Sequence, residues 1–460
     1  MYRTVNVHIR QSAPLYEWTA NVSALVNNLY NAALFRERQF MTASQKSKDE
    51  LTANEKEVLT EFESISPKFP GTPKITAGIM DYRTLRTMLN LTGNRDYWAD
   101  IPRLIAYSTV KRVCSDMENF RKAAEAYTLC PSKFLSRPEI PRYRRKGGLA
   151  PFDIDVNYCK ILKNRKGNHV IRIPDTSYKV SFGKKLPGKL LIIHVTPGNG
   201  IFNYSFCFDD HKKMPAPASR IPSRMIGIDI GSANMMAVVN NCGLPCILYK
   251  GNTMNSINHI YNKRISSIIS EQTKGTDQKF VPTANFKKAT LKRNNRINDC
   301  MHKTAKHLIQ WCVENRIDTI VIGDNERWKQ HSSMGNYSNQ KFVQIPFDKL
   351  KLIITYLSQR NGIRVIRQEE SYTSQASFID NDFIPVYGHE NAVPAFSGIR
   401  KERLYITKEG LQINADLNGA ANILRKRFPD AFGKLPPDFR KIKVIKHPDA
   451  INVHAIPKKG

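Results

Sequence analysis

A single carboxylate interrupts the apolar segment MIGIDIGS at residues 225–232. The pattern predicts a buried strand, in which an ionised Asp229 costs several kcal/mol unless a metal ion or an arginine compensates its charge. The flanking glycines, Gly227 and Gly231, are expected to leave room above the sheet for a ligand to approach the backbone. Asp229 is therefore a candidate metal ligand, and a partner in an ion pair is the alternative.

A second carboxylate, Asp416, precedes a run of small residues in the segment INADLNGAANIL at 413–424. The small residues predict a helix that can pack closely onto a sheet. An aspartate at this place is also a good N-cap, because its side chain can accept hydrogen bonds from the first turn of the helix. Both interpretations of Asp416, cap and ligand, remain open from the residues alone.

Carboxylates brought together in this way suit metal-dependent phosphodiester hydrolysis. Three or four of them hold two Mg²⁺ ions about 4 Å apart, one activating water and the other holding the leaving oxygen. Mg²⁺ prefers oxygen ligands and keeps several waters, so acids at different strand ends suit it. A third acid is expected to follow a strand between Asp229 and Asp416. The candidates are Asp324 and Glu326 in VIGDNERWK, and Glu369 and Glu370 in VIRQEESYT.

Hydrophobic spacing predicts the elements that must position these acids. A strand begins near residue 225, and a turn and a second strand follow it. Two long helices come next, SINHIYNKRISSIISE and roughly 284–315. The strand DTIVIG, the helix FDKLKLIITYLSQR, the strand GIRVIRQ and a last helix in NADLNGAANILRKRF complete the series. This order predicts an α/β domain with a mixed sheet. The last 30 residues are rich in Lys and Pro and predict a loose tail.

The amino-terminal half has a different texture. The segment TVNVHIR predicts an opening strand, and residues 15–128 carry apolar residues at helical spacing. Residues 138–210 alternate in short runs between Gly, Pro, Asn and Asp, which indicates a small antiparallel β-domain or barrel. The segment opens with PRYRRKGG, which is either a solvated loop or a contact with phosphates and bases. Its basic residues are Arg142, Arg144 and Arg145.

The charge balance points to a polyanionic partner. Lys and Arg number 71 against 40 Asp and Glu, a formal charge of +31, and basic side chains gain affinity by releasing counterions from nucleic-acid phosphates. No apolar run of about 18 residues exists, so we expect no membrane span. The eight cysteines are scattered, which fits free thiols in a reducing, cytoplasmic setting. We interpret CGLPC at 242–246 as a turn between the first two strands, because no second cysteine pair lies nearby.

With these segments in order, the chain resembles the TnpB family of transposon-encoded RNA-guided DNA nucleases, relatives of Fanzor proteins and type V CRISPR effectors. The matching segments run from about residue 225 to 427 and are GIDIGSAN, HKTAKHLIQWCVENRIDTIVIGDNERWKQ, NQKFVQIPFDKL, EESYTSQASF, FSGIRKERLY and INADLNGAANILRK. The resemblance implies a multidomain α/β protein. Its expected parts are a β-barrel wedge domain (1–12 and 130–220), an inserted helical recognition lobe (13–129), an RNase H-like, RuvC-type nuclease domain (221–430) containing a metal-free lobe (373–412), and a basic tail (431–460).

The resemblance places Asp229 at the first acidic position and Asp416 at the third. At the second position the chain departs from the family, because Gly323 stands where many members have a glutamate. In some members the glutamate lies just before the Tyr-Thr-Ser motif, where this chain has Glu370. Neighbouring strand ends are about 5 Å apart, so we prefer Glu370 as the second acid. The alternatives are Glu326, Glu369 and the absence of a functional third acid.

The implied activity is that of an RNA-guided, Mg²⁺-dependent DNA endonuclease. Asp229, Glu370 and Asp416 would hold two Mg²⁺ ions, for which Mn²⁺ could substitute. The implied partners are a guide RNA from the transposon end and a target DNA duplex with a short flanking motif, with a functional link to a separate transposase. The implied location is the cytoplasm, at the nucleoid of a prokaryote, or the nucleus of a eukaryote.

Two further features follow from the resemblance. Basic residues shortly before Asp416 are expected to clamp the phosphates of the scissile strand. They are Arg400, Lys401 and Arg403. Many family members carry two CxxC pairs in the inserted lobe, but residues 371–416 contain no cysteine, so we expect no zinc.

Two alternatives to a nuclease remain open. Gly323 at the second acidic position keeps alive an RNA-guided DNA-binding protein that no longer cuts. A remote alternative is an actin-type ATPase or sugar kinase, because GIDIGSAN also resembles the first phosphate loop of that superfamily. That alternative predicts further glycine-rich loops, which the sequence lacks.

Overall fold

The computed structural model describes residues 1–213, 215–216, 222–275, 279–324, 345–386, 395–433 and 435–447. The chain divides into two compact units, Met1–Lys212 and Lys213–Gly460. Antiparallel sheets and long helices build the first unit, and a mixed sheet covered by helices on both faces builds the second. Within the described ranges, no helix has the length and apolar character needed to cross a bilayer.

The amino-terminal unit contains the helices that its apolar spacing predicts. They are α1 (Pro14–Ala43), α2 (Ala53–Ile65), α3 (Tyr82–Leu91) and α4 (Arg103–Leu129). Its strands are β1 (Tyr2–Arg10), β2 (Ile75–Thr76), β3 (Ile79–Met80), β4 (Phe152–Asp155), β5 (Lys160–Lys163), β6 (His169–Arg172), β7 (Lys179–Ser181), β8 (Lys189–Gly198) and β9 (Ile201–Asp209).

These strands form separate antiparallel sheets. The order β1-β9-β8-β4 makes the largest, β5-β6-β7 makes a second, and β2 pairs with β3. Tyr204, Phe206 and Phe208 alternate inward along β9 and share one core with α1, where the Thr19 hydroxyl lies 2.7 Å from the Tyr204 hydroxyl. The antiparallel β-domain is therefore present, while closure into a barrel and the limits of the wedge domain and recognition lobe stay predictions.

The carboxy-terminal unit is built on a mixed sheet with the order β14-β13-β10-β11-β12-β18. The strands of the unit are β10 (Met225–Asp229), β11 (Asn234–Asn240), β12 (Cys246–Lys250), β13 (Thr319–Gly323), β14 (Arg364–Gln368), β15 (Ile399–Lys401), β16 (Leu404–Ile406), β17 (Gln412–Asn414) and β18 (Ile442–Ile445). Its described helices are α5 (Asn252–Thr273), α6 (Ala284–Glu314), α7 (Phe347–Arg360) and α8 (Ala415–Arg427). Strands β15, β16 and β17 form a small separate sheet.

The two faces of the mixed sheet carry different helices. Ile226 and Ile228 of β10 share a core with α5, α6 and α7, whereas Met225 packs with residues of α8. Since side chains alternate along a strand, Gly227 and Asp229 lie on the α8 face. A Cβ added to Gly227 would lie 2.3 Å from the Ala420 carbonyl oxygen. The expectation that Gly227 leaves room for a ligand is therefore wrong, because the backbone of α8 occupies that space.

Two further expectations need correction. The sequence CGLPC at 242–246 joins β11 to β12, the second and third strands of the unit, and not the first two. Residues 442–445, expected to belong to a loose tail, form β18 and pair in parallel with β12. The segment IKVI alternates for only four residues within a Lys-rich stretch, and the edge of β12 supplies the backbone partners that make it a strand. The rest of that tail, from 448 to 460, lies outside the described residues.

Candidate active site

Asp229 ends β10 at the edge of the sheet where the parallel strands β13 and β14 also end. Its carboxylate meets the first turns of α8, where a Cβ added to Gly419 would lie 2.8 Å from Asp229 Oδ2. Burial raises the pKa of Asp229 well above its usual range, and the negative charges of Asp416 and Glu370 raise it further, opposed by Arg400 and Lys351. The residue as a whole is half-buried.

Asp416 lies in the first turn of α8, but it is not the cap of that helix. Asn414 is the N-cap, and its side-chain oxygen accepts hydrogen bonds from the backbone amides of Asp416 and Leu417 at 3.1 and 3.2 Å. The Asp416 carboxylate is instead held from two sides. Asn234 Nδ2 donates to Oδ2 at 2.7 Å, and Arg400 Nη2 lies 2.9 Å from Oδ1. Of the two interpretations that the sequence left open, the cap is wrong.

Glu370 follows β14 and turns back over the end of β13. In the parallel pairing, Gly323 is opposite Gln368, and a Cβ added to Gly323 would lie only 2.2 Å from Glu370 Oε2. Burial raises the pKa of Glu370 to about 7, with Lys351 opposing the shift and Asp324 and Glu369 adding to it. The carboxylate therefore fills the space that a side chain at position 323 would need.

The other described candidates for the second acid are engaged by cations. Glu369 Oε2 lies 2.6 Å from Lys426 Nζ, and its Oε1 accepts a hydrogen bond from the Ser371 amide at 2.6 Å. Burial alone would raise the pKa of Glu369, but these two bonds outweigh burial and lower it. Asp324 is bound by Lys351 Nζ at 2.6 Å and Arg367 Nη1 at 3.2 Å. Glu326, the remaining alternative, lies outside the described residues.

The predicted phosphate contacts near Asp416 divide into two kinds. Arg400, on β15, keeps its side chain 38% exposed while its guanidinium binds Asp416. Lys401 is the last residue of β15, and Arg403 lies in the turn between β15 and β16. Both are exposed. Arg400 therefore supplies countercharge to the acids, and contact of these residues with phosphate stays a prediction.

The predicted contacts in the amino-terminal unit also differ from one another. The backbone of this arginine-rich segment packs on α1. The Asn31 side chain accepts a hydrogen bond from the Arg144 amide at 2.8 Å and donates one to the Arg144 carbonyl at 2.9 Å. The Arg144 guanidinium stacks over the Tyr30 ring at 3.5 Å. Arg142 is exposed and pairs with Glu139 at 2.6 Å, and Arg145 is exposed. The structure therefore presents Arg142 and Arg145 to solvent and uses Arg144 in packing.

Two residues that the sequence did not single out contribute to the site. Asn234 is 3% exposed, and while its Nδ2 binds Asp416, its Oδ1 has no hydrogen-bond partner among the described residues. Lys351 is 2% exposed and reaches Asp324 from α7. A signal for Lys351 exists, because it occupies a core position of the helical repeat with Phe347 and Ile354. Asn234 follows a turn, where asparagine is ordinary.

The residues present fit a divalent metal ion in their chemistry. Three carboxylates and the orphaned Asn234 oxygen are hard oxygen donors, and the missing Cβ atoms of Gly323 and Gly419 leave the space that two of the acids occupy. Within the described ranges, however, no group of three His, Cys, Asp or Glu residues is arranged so that it could hold a metal ion. Arg400 occupies one oxygen of Asp416 in this arrangement.

Two family models match segments of this chain, which lie mostly in the carboxy-terminal unit. The model OrfB_IS605, described as a probable transposase, matches residues 206–329, which include Asp229. The model of the Cas12f1-like TNB domain matches residues 347–423, which include Glu370 and Asp416. The comparison with curated proteins gives no match.

Three of the solved structures with some similarity to this chain are described as complexes. A Cas12f1–sgRNA–target DNA complex is 14% identical over 93% of this chain and 100% of its own, with a TM-score of 0.33. A CRISPR-Cas12f ternary complex is 13% identical over 95% and 100%, also with 0.33. C2c1 of Alicyclobacillus acidoterrestris with single-guide RNA is 8% identical over 92% and 70%, with 0.34. TM-scores this low do not show a shared fold. The two family models alone therefore indicate which proteins this chain is related to.

Proposed function

We propose, from the premise that this chain is a TnpB-like protein, that it is an RNA-guided, Mg²⁺-dependent DNA endonuclease with a RuvC-type site. One observation carries the proposal. Asp229 ends β10, Glu370 lies over the end of β13 and Asp416 lies in the first turn of α8, so acids from three separate places in the chain lie at one end of the mixed sheet. Acids that repel one another in a partly buried place need cations, and a divalent ion beside a phosphate is the cation that this chemistry uses.

The metal would be held by Asp229, Glu370 and Asp416. When bound, Mg²⁺ would supply an activated water and stabilise the leaving oxygen of the scissile phosphate. Asn234 orients the Asp416 carboxylate through its amide, and its buried oxygen is free to accept a further hydrogen bond. Arg400 would leave Asp416 when the site is loaded and contact the phosphate, for which a guanidinium is well suited.

The proposed partners are a guide RNA from a transposon end and a target DNA duplex with a short flanking motif. The formal charge of +31 supports polyanionic partners, and the exposed residues Arg142, Arg145, Lys401 and Arg403 are available to them. In such a system base pairing reads the sequence, and the protein reads duplex shape and the flanking motif. The proposal includes a functional link to a separate transposase.

The test is cleavage of a matched target by the protein copurified with its RNA. We expect Mg²⁺- or Mn²⁺-dependent cutting that falls by ~10²-fold or more in Asp229→Asn, Glu370→Gln and Asp416→Asn, as for loss of a group that stabilises the transition state. Binding of RNA and target should stay within a few fold of wild type. Glu369→Gln is the matched control, because Lys426 already engages that acid. Equal cleavage by wild type and Asp229→Asn would refute the assignment.

A second candidate function is guided DNA binding without cleavage. The observation that favours it is the arrangement of the acids: within the described ranges no three His, Cys, Asp or Glu residues are placed so that they could hold a metal ion, and Arg400 binds Asp416. The same assay decides between the two. Stable binding of RNA and target with no cut at saturating Mg²⁺ or Mn²⁺ would support the binding protein. Neither matched family model is that of an ATPase.

A further inference from the structure

The ends of β13 and β14 are hydrogen-bonded to each other just before Glu370. Gly323 is the last residue of β13 and is opposite Gln368, the last residue of β14. The backbone amide of Asp324 then donates to the Gln368 carbonyl oxygen at 2.7 Å. The chain leaving β14 therefore starts from a fixed place beside Gly323, and only the course of Glu369 and Glu370 decides which carboxylate enters the site.

Hydrogen bonds fix the backbone of Glu370 close to Gly323. Its backbone carbonyl accepts hydrogen bonds from Thr373 Oγ1 at 2.8 Å and from the Thr373 amide at 3.2 Å. On the other side, Lys426 Nζ holds the Glu369 carboxylate at 2.6 Å and the Ser371 carbonyl at 3.0 Å. These bonds turn Glu369 toward Lys426, and Glu370 is left to extend over β13.

The space that Glu370 uses exists only because residue 323 has no side chain. An added Cβ would lie 2.2 Å from Glu370 Oε2 and 2.7 Å from Ile423 Cδ1. Non-bonded carbon contacts are optimal at about 3.5–4.0 Å, so both neighbours would have to move. The ends of both side chains can rotate, so a methyl group at 323 would push the Glu370 carboxylate out of this place while its backbone stays anchored. Any side chain at 323 thus displaces Glu370.

The charges around this contact are arranged consistently with it. Lys351, whose side chain is 3% exposed, binds Asp324 Oδ1 at 2.6 Å, and Arg367 binds Oδ2 at 3.2 Å. The acid that directly follows Gly323 is therefore neutralised by cations of its own. The carboxylate that lies over this end of β13 comes instead from Glu370, after the neighbouring strand β14.

We propose that Gly323 is the positioning residue of the second acid, and that its missing side chain lets Glu370 cross from the end of β14 to the end of β13. Gly323 leaves the space and Glu370 supplies the acid that fills it. The two roles should therefore be exchangeable, with the acid at position 323 and the glycine at position 370. The part of this inference that concerns metal binding rests on the proposed function, whereas the contact itself does not.

The contact is tested without metal by a thermal unfolding cycle on the full chain. Gly323→Ala should lower the unfolding midpoint, and the same change in a Glu370→Ala background should lower it by less than half as much, because the carboxylate in its way is gone. Gly198→Ala is the control, since an added Cβ there meets nothing within 4 Å. Equal shifts in both backgrounds would overturn the proposal.

The exchange is tested by Mn²⁺ binding, followed by calorimetry and by electron paramagnetic resonance of the free ion. Gly323→Ala should weaken binding by about tenfold or more, the range found when a metal ligand loses its support. Glu370→Gly should weaken it at least as much, and the double variant Gly323→Glu/Glu370→Gly should recover to within a few fold of wild type. A double variant no better than Glu370→Gly would contradict the exchange.

The two proposals fail in different ways. A wild-type chain that neither binds Mn²⁺ nor cleaves its target would contradict the proposed function. The thermal cycle would then decide the role of Gly323 alone, because it reads the contact between position 323 and Glu370 with no metal present.

Discussion

Asn234 shows how one amide can serve a carboxylate site. It begins β11, is 3% exposed, and donates from Nδ2 to Asp416 while Oδ1 remains without a partner in the described ranges. A buried oxygen without a hydrogen bond costs free energy, roughly 1–3 kcal/mol. A water molecule, a hydrated cation or a substrate group beside Asp416 can supply the missing bond.

We expect Asn234→Ala to lower target cleavage about tenfold, because the Asp416 carboxylate loses the donor that orients it. The residue at the opposite end of the same strand, Asn240, is the matched control. It is 1% exposed and holds the following turn by donating to the Leu244 carbonyl at 2.9 Å. Asn240→Ala should lower stability and leave the cleavage rate per folded molecule unchanged. Single-turnover rates of both variants, with the unfolding midpoint of each, separate the two effects, and equal losses of rate would show that Asn234 has no special role.

Among the elements, helix α8 contributes most to the candidate site. It approaches the sheet closely because Gly227 and Gly419 have no Cβ, and added methyl groups would lie 2.3 Å from the Ala420 carbonyl and 2.8 Å from Asp229 Oδ2. Its first turn places Asp416, and its last turn supplies Lys426, whose ammonium holds Glu369. One helix thus positions a candidate ligand, Asp416, and holds the alternative acid Glu369 in an ion pair.

The start of α8 provides a test at this scale. Asn414→Ala removes a cap that accepts from two backbone amides, so we expect about 1 kcal/mol less stability. Because the cap precedes Asp416, we also expect slower cleavage. Thr283→Ala is the matched control, since Thr283 caps α6 by accepting from the Phe286 amide at 3.2 Å. It should cost similar stability without slowing cleavage. Chemical denaturation and single-turnover cleavage of both variants check this, and cleavage as fast in Asn414→Ala as in wild type would contradict it.

For the whole molecule, net charge is the dominant physical property. A formal charge of +31 is repulsive within the folded chain and becomes favourable only near a polyanion. Exposed basic residues occur in both units, including Arg142 and Arg145 in the first and Lys401 and Arg403 in the second. Affinity for nucleic acid should therefore depend on counterion release as well as on base pairing.

We expect binding of duplex DNA without a matched guide to weaken steeply with salt. For six to ten phosphate contacts, affinity falls by roughly 10³–10⁵ between 50 and 200 mM salt. Fluorescence anisotropy titrations at four salt concentrations measure the slope. The combined Lys401→Ala and Arg403→Ala variant should reduce that slope by up to about two, and Glu402→Gln on the same turn should not reduce it. A binding constant that hardly changes with salt would argue against a phosphate-dominated interface.

Much of this protein was determined by local sequence. The long helices α1, α4 and α6 follow from apolar spacing, since a helix face is defined within one segment. Asp229 and Asp416 were identifiable for a similar reason, because a charge within an apolar run and a small-residue helix are local patterns. The excess of basic residues needed no structure at all.

Other features were decided only by the tertiary structure, because they depend on residues distant in sequence. Which of several acids enters the site depends on the register of β13 against β14 and on Lys351 and Lys426, which neutralise the competitors. The strand β18 exists because β12 offers an open edge, and Gly227 serves α8 because the helix packs there. Periodicity identifies which face of an element is buried, but it does not specify the element that covers that face, and at this site the partner determines the chemistry.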